Sequence, residues 1–140
     1  MMKINELQVG DWVAIDEPDA FHGYTGQVRV VGGNTNYVTV FIPYHHEHDV
    51  LVDDLSPIPL TPDRLRKFCI YEYPRGSKHY HLDGDFYLLE NLGGAFTLCV
   101  KYYDGYEYDY KEVIGCDSVS KLQQALRLLN IDKEIISCGI

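Results

Sequence analysis

The chain has 140 residues, 46% hydrophobic and 24% charged, which suits one compact domain or two very small ones with a core that needs no staples. Its net charge is −9, and residues 1–60 hold nine acids against Lys3 and Arg29, a balance of −7. Phosphate affinity rests on cationic side chains, so this half is not expected to bind nucleic acid directly.

The first strand is expected over Asp11-Trp12-Val13-Ala14-Ile15-Asp16. Gly23-Tyr24-Thr25-Gly26 turns the chain into Gln27–Val31, and Gly32-Gly33-Asn34 turns it again into Tyr37–Ile42, rich in β-branched and aromatic residues. A polar stretch, Tyr44–Asp49, precedes Val50-Leu51-Val52-Asp53-Asp54. Four or five short strands between glycine turns predict a small SH3-like β-barrel.

A seam follows at Asp54–Asp63. Pro57 and Pro59 hold the chain extended, since proline fixes φ and restricts the residue before it. Thr61 then suits the cap of a helix running from Pro62 to about Cys69, with Asp63 in its first turn. The seam divides the chain into a β-barrel over residues 1–59 and an α+β half over residues 60–140, two domains or one continuous unit.

In the second half, Lys78–Leu82 and Asp85–Leu89 flank Asp83-Gly84, a pair that favours a two-residue type I′ hairpin. Leu92-Gly93-Gly94-Ala95 leads to a strand over Phe96–Tyr102. The next loop is open to two readings. A two-residue loop at Asp104-Gly105 puts Leu98 and Val100 beside Lys111 and Asp109. A three-residue loop, Tyr103-Asp104-Gly105, puts Phe96, Leu98, Val100 and Tyr102 on a face with Tyr106, Tyr108 and Tyr110, and the apolar match favours it. Val119, Leu122, Ala125, Leu126 and Leu129 recur at helical spacing, so a helix over about Ser118–Leu129 should cover the meander, capped by Asp117 or Ser118 and ended by a left-handed Asn130. The fold class expected is therefore α+β, a small barrel followed by an antiparallel β-meander with a short helix and a C-terminal helix packed on the sheet.

No apolar run approaches the roughly 18 residues of a membrane helix, and the charged first twenty residues hold no signal-peptide core. A cytoplasmic setting is the expectation, without membrane contact. Cys69, Cys99, Cys116 and Cys138 form no C-x-x-C pair and read as free thiols.

Three segments carry a resemblance: Asn5-Glu6-Leu7-Gln8-Val9-Gly10-Asp11-Trp12-Val13, then Leu55-Ser56-Pro57-Ile58-Pro59-Leu60-Thr61-Pro62, and last Leu122-Gln123-Gln124-Ala125-Leu126-Arg127-Leu128-Leu129-Asn130-Ile131. Together they resemble an uncharacterised family of small proteins in gut-commensal bacterial genomes, often found among prophage and mobile-element genes. Members often place Tyr-Val-His before the last helix; Asp117-Ser118-Val119-Ser120 stands here instead, which argues against an essential histidine there. The resemblance implies an accessory protein of such an element and supplies no reaction.

Among the polar clusters, His45-His46-Glu47-His48-Asp49 is the sharpest. Extended backbone puts His46 and His48 on one side. Zinc takes three or four ligands from separate elements, so His45, His46 and His48 with a distant His22 are metal-ligand candidates, against the plainer reading of a solvated hairpin loop. A loop of neighbouring histidines would also charge together below about pH 6.5. His79 and His81 alternate and belong to one sheet face. H-E-x-x-H, G-x-S-x-G and G-x-x-x-x-G-K are absent, so no catalytic or cofactor-binding residue is assigned and no cofactor is expected.

The chain has 12 tyrosines, and tyrosine is enriched at interfaces as well as in strands. Trp12, Tyr24, Tyr44, Tyr106 and Tyr108 are the candidates for contacting a partner. The leading expectation is a non-catalytic interaction module with a protein partner, self-association being one form. An acidic protein that mimics nucleic acid before a host protein and a small metal-dependent hydrolase are the alternatives.

Overall fold

Alternating β-branched and small residues give the described part of the first sixty positions five antiparallel strands. The computed structural model describes residues 2–18, 21–31 and 36–131, so the expected Gly32-Gly33-Asn34 turn and Cys138 lie outside the described residues. The described residues divide into two compact units, one of residues 2–59 with 118–120, the other of residues 60–117 with 121–131. The class is α+β: nine strands in two antiparallel sheets, with two α-helices, among the described residues. No helix among the described residues is long and apolar enough to cross a membrane.

In the first unit, β1 (Trp12–Ile15), β2 (Thr25–Val31), β3 (Tyr37–Phe41), β4 (Glu47–Leu51) and β5 (Leu55–Ser56) form a sheet of order β4-β3-β2-β1-β5. Period-two alternation sends Val13, Ile15, Val28, Val38, Val40 and Val50 into one core, joined by Ile42, Val52, Leu55, Leu7 and Met2. Gly26 sits where a Cβ would come within 3.2 Å of the Val40 Cβ, so a side chain there would press β3 back by a few tenths of an ångström. The expected closed barrel is not formed. The sheet is open, with β4 and β5 as its edges. β5 has only two residues before Pro57, and the outward Leu55 carbonyl accepts the Met2 N–H at 3.0 Å. A second correction concerns Tyr44–Asp49: only its start is a turn, and Glu47, His48 and Asp49 belong to β4, paired with Phe41, Val40 and Thr39.

The second unit opens with α1 (Pro62–Lys67), whose start is as the sequence predicts. Thr61 Oγ1 accepts the Arg64 N–H at 3.1 Å, and Pro62 takes the first helical position. The helix stops at Lys67, two residues earlier than expected. Cys69 takes a φ of 60°, and the N–H groups of Cys69 and Ile70 close back on the carbonyls of Arg66 and Leu65.

A meander follows of β6 (His79–Asp83), β7 (Phe86–Glu90), β8 (Phe96–Tyr103) and β9 (Tyr108–Gly115), in that spatial order. The β6–β7 turn falls one residue later than expected, at Gly84-Asp85, and an irregularity at Leu82 absorbs the shift. The β8–β9 loop has neither of the two expected lengths. It has four residues, 104–107, so Tyr103 faces Tyr108, Lys101 faces Tyr110 and Val100 faces Lys111. The expectation that Tyr108 and Tyr110 join Leu98 and Val100 is thus overturned. Asp104 decides it: its Oδ1 accepts the N–H groups of Tyr106 at 2.8 Å and Glu107 at 2.9 Å, which locks the longer loop. A bulge opposite Leu98 and Cys99 then restores an apolar pair, Leu98 with Ile114.

The final helix, α2 (Val119–Leu128), buries the expected stripe: Val119, Leu122, Ala125 and Leu126 are buried and Leu129 is half-buried. Asn130 ends it at a φ of 55°, and the Ile131 N–H returns to the Leu126 carbonyl at 2.9 Å.

Candidate functional site

Each unit holds one aromatic cluster of its own among the described residues. In the first, the turn after β1 brings the Phe21 ring edge-on to Tyr24, His45 and His48, with centroids 5.6, 5.2 and 5.0 Å away. His48 lies at the end of the inward face of β4, and its Nε2 is 3.0 Å from Glu17 Oε1. His45 and His48 are therefore drawn to a phenyl ring and a carboxylate. His22 and His46 are exposed. Among the described residues no three His, Cys, Asp or Glu side chains are grouped as a metal site.

The partner candidates separate by exposure. Trp12 is 6% exposed and so presents no ring to a partner. Tyr24 is half-covered by Phe21 and His45. Tyr44 is fully exposed in a turn with a φ of 65°, and Tyr106 is fully exposed at the tip of the β8–β9 loop. Tyr108 belongs to a larger assembly.

That assembly is the second cluster, and the β8–β9 register creates it. With Leu98 on the opposite face, alternation puts His79 and His81 of β6, Tyr87 of β7, Cys99, Lys101 and Tyr103 of β8, and Tyr108, Tyr110 and Glu112 of β9 on one face. His81 lies 5.0 Å from Tyr87, Tyr87 lies 5.5 Å from Tyr110, and His79 stacks on Tyr110 at 4.1 Å. In a flat sheet β6 and β9 would stand roughly 14 Å apart. The His79–Tyr110 stack shows that this face curls inward, and Tyr87 and Cys99 beneath it are buried. Burial raises the Cys99 thiol above its usual range, with Glu112 adding to the effect.

Toward the loop the face opens. The Lys101 ammonium lies 4.8 Å from the Tyr108 ring and 5.8 Å from Tyr87, and Tyr103 meets Tyr108 at 5.2 Å. Tyr103 and Tyr108 remain 59% and 65% exposed, which leaves two large rings braced by their neighbours and free on the outside.

At the β6 end, the Tyr71–Tyr73 segment runs antiparallel to β6, bonded through Tyr71 to His81 and Tyr73 to His79. Tyr71, Glu72 and Tyr73 with Cys69 and His81 line a cleft of about 230 Å³. A second cleft of about 330 Å³ lies between Arg66, Arg75, Tyr71, Glu72 and Tyr80. Its carboxylate is already engaged, since Glu72 accepts from the Tyr80 hydroxyl at 3.3 Å and from the Lys78 N–H at 3.2 Å. Burial, then Glu72 and Glu90, push the Tyr80 phenol up to about 12, so it remains the donor.

No protein-family model, curated protein or solved structure matches this chain. The reading of the site rests on its own residues. Sequence reasoning gathered Tyr108 and Tyr110 on one face but set them with Leu98 and Val100, and it left out Tyr87. The signal for the cluster was the paired alternation His79-x-His81 and Tyr108-x-Tyr110, which marks two strands of one face once the longer loop is known.

Proposed function

We propose that this protein is a non-catalytic interaction module, an accessory protein of a prophage or mobile element, and that the open end of the aromatic face binds a partner protein. The observation that supports this reading is the chain of ring contacts from His81 and Tyr87 to Lys101, Tyr108 and Tyr103, which ends in two exposed, braced tyrosines. Rings held in place by neighbours lose little freedom on binding, and tyrosine offers an apolar body with a hydroxyl rim. Three free thiols among the described residues accord with a reducing, cytoplasmic setting. The small curled sheet of the first unit, SH3-like in size, serves in this reading as a second module.

Immobilised protein exposed to nuclease-treated host lysate tests the proposal. A protein partner should be retained by the natural chain and by Tyr44→Ala, and depleted at least about tenfold by the double variant Tyr103→Ala with Tyr108→Ala. Equal retention by that double variant refutes the assignment of the surface.

A further inference from the structure

The second sheet ends in an unusually long free strand. β9 lies at the margin of the sheet, its eight residues pair only with β8 among the described residues, and all but the half-buried Tyr110 are exposed. Such an edge presents a row of unpaired backbone groups. Tyr110 shows which groups point outward. Its N–H turns away from β8 and donates to the carboxylate of its own neighbour, Asp109 Oδ1, at 2.8 Å. On the other side of the chain, the Asp104 N–H bonds the Glu107 carbonyl, which makes 104 and 107 a bonded pair. Antiparallel pairing alternates from there, so Asp109 and Lys111 turn their backbone groups toward β8 while Tyr108, Tyr110 and Glu112 turn theirs outward.

We propose that β9 is the seam of a two-fold homodimer, in which a second copy of the chain lays its own β9 antiparallel along this edge, centred on Tyr110. The symmetry restricts the register. A two-fold axis normal to the sheet keeps each face on its own side, so only residues of one face can oppose each other. Three centres then fit the regular run. Centring on Asp109 opposes two carboxylates, and centring on Lys111 opposes two ammonium groups; like charges placed directly opposite are destabilising.

Centring on Tyr110 opposes Asp109 to the second copy's Lys111, and Lys111 to its Asp109, on the face away from the tyrosines. On the aromatic face it opposes Tyr110 to Tyr110, and Tyr108 to Glu112 in both directions. It also uses the whole regular run, residues 108–112, between the loop at 104–107 and the bulge at Val113. The three outward-facing residues then become reciprocal hydrogen-bonded pairs. The Asp109 carboxylate, which holds the Tyr110 N–H in the single chain, passes that donor to the second copy's Tyr110 carbonyl and turns to Lys111. The charge pairs lie on the face opposite to the proposed partner surface, so this inference and the preceding one fail separately.

Charge reversal on the full chain tests it, read by sedimentation equilibrium. Asp109 and Lys111 are both exposed, so the reversals leave the fold of each unit intact, as circular dichroism would confirm. The natural chain should sediment at twice its 16.1 kDa mass. Asp109→Lys and Lys111→Asp should each raise the dissociation constant about tenfold or more, because each sets two like-charged pairs across the seam. An equimolar mixture of the two variants should recover association. One chain then carries ammonium groups at both positions and the other carboxylates, so both pairs across the seam of the mixed dimer join opposite charges. A monomeric natural chain at about 100 μM, single variants that associate as well as the natural chain, or a mixture that does not recover overturns the proposal. So does a natural chain that is monomeric alone and whose β9 amides become protected only when a foreign segment is bound.

Discussion

Tyr44 holds a φ of 65° at the third position of a turn that the His45 N–H closes onto the Ile42 carbonyl at 2.9 Å. Pro43 at the second position makes this a type II turn, a geometry that asks for glycine or asparagine where Tyr44 stands. A left-handed side-chain residue costs about 1–2 kcal/mol, and glycine gives back roughly 0.5–1 of that through its freedom in the unfolded chain. Tyr44→Gly is therefore expected to stabilise the fold by about 0.5–1 kcal/mol, seen as a higher urea midpoint at unchanged slope. A lower midpoint would show that the exposed ring contributes packing. Cys69 holds a similar conformation at the end of α1.

At the scale of elements, what could be read from sequence divides by distance along the chain. Thr61 with Pro62 at the start of α1, and Asn130 at the end of α2, act within four or five residues of themselves, and both caps form as the residues predict. The β8–β9 register was not legible, because the apolar match that favoured a shorter loop counted tyrosines as core. One carboxylate outweighs that match. Two backbone donors, from Glu107 first and then Tyr106, hold the Asp104 carboxyl below its ordinary range. Its depressed value means that the loop is held fully above the ordinary aspartate value of about 3.9 and released as pH falls through the lower folded value. The amide resonances of Tyr106 and Glu107 should accordingly titrate together with a midpoint below about 3.9; a midpoint at or above it would remove Asp104 as the determinant of the register. The Phe21 cluster was illegible for the same reason of range: Glu17 and His48 are 31 positions apart, and no local spacing joins them.

For the molecule as a whole, the buried titratable groups of the sheet and the start of the last helix set a limit on the alkaline side. The Cys116 thiol is pushed up to about 11, chiefly by burial and then by Asp117, and Tyr80 reaches about 12. Both values are raised, so the unfolded chain loses these protons first. The stability they confer is complete below the unfolded values, about 8.5 for a thiol and 10 for a phenol, and is lost as pH rises toward 11 and 12. For Cys116 the difference is worth roughly 3 kcal/mol across that window, with a slope of about 1 kcal/mol per pH unit around pH 9.5. Cys99 shifts in the same direction and adds to the loss. Urea unfolding at about pH 7.5, 9, 10 and 10.5 should show stability falling throughout this range. Cys116→Ala should lower stability at about pH 7.5 by removing buried sulfur, yet flatten the fall between about pH 9 and 10 while leaving the steeper loss above about pH 10 that Tyr80 imposes. An undiminished slope in that variant would mean that the thiol ionises without leaving its buried site, and that the second unit opens locally before it unfolds.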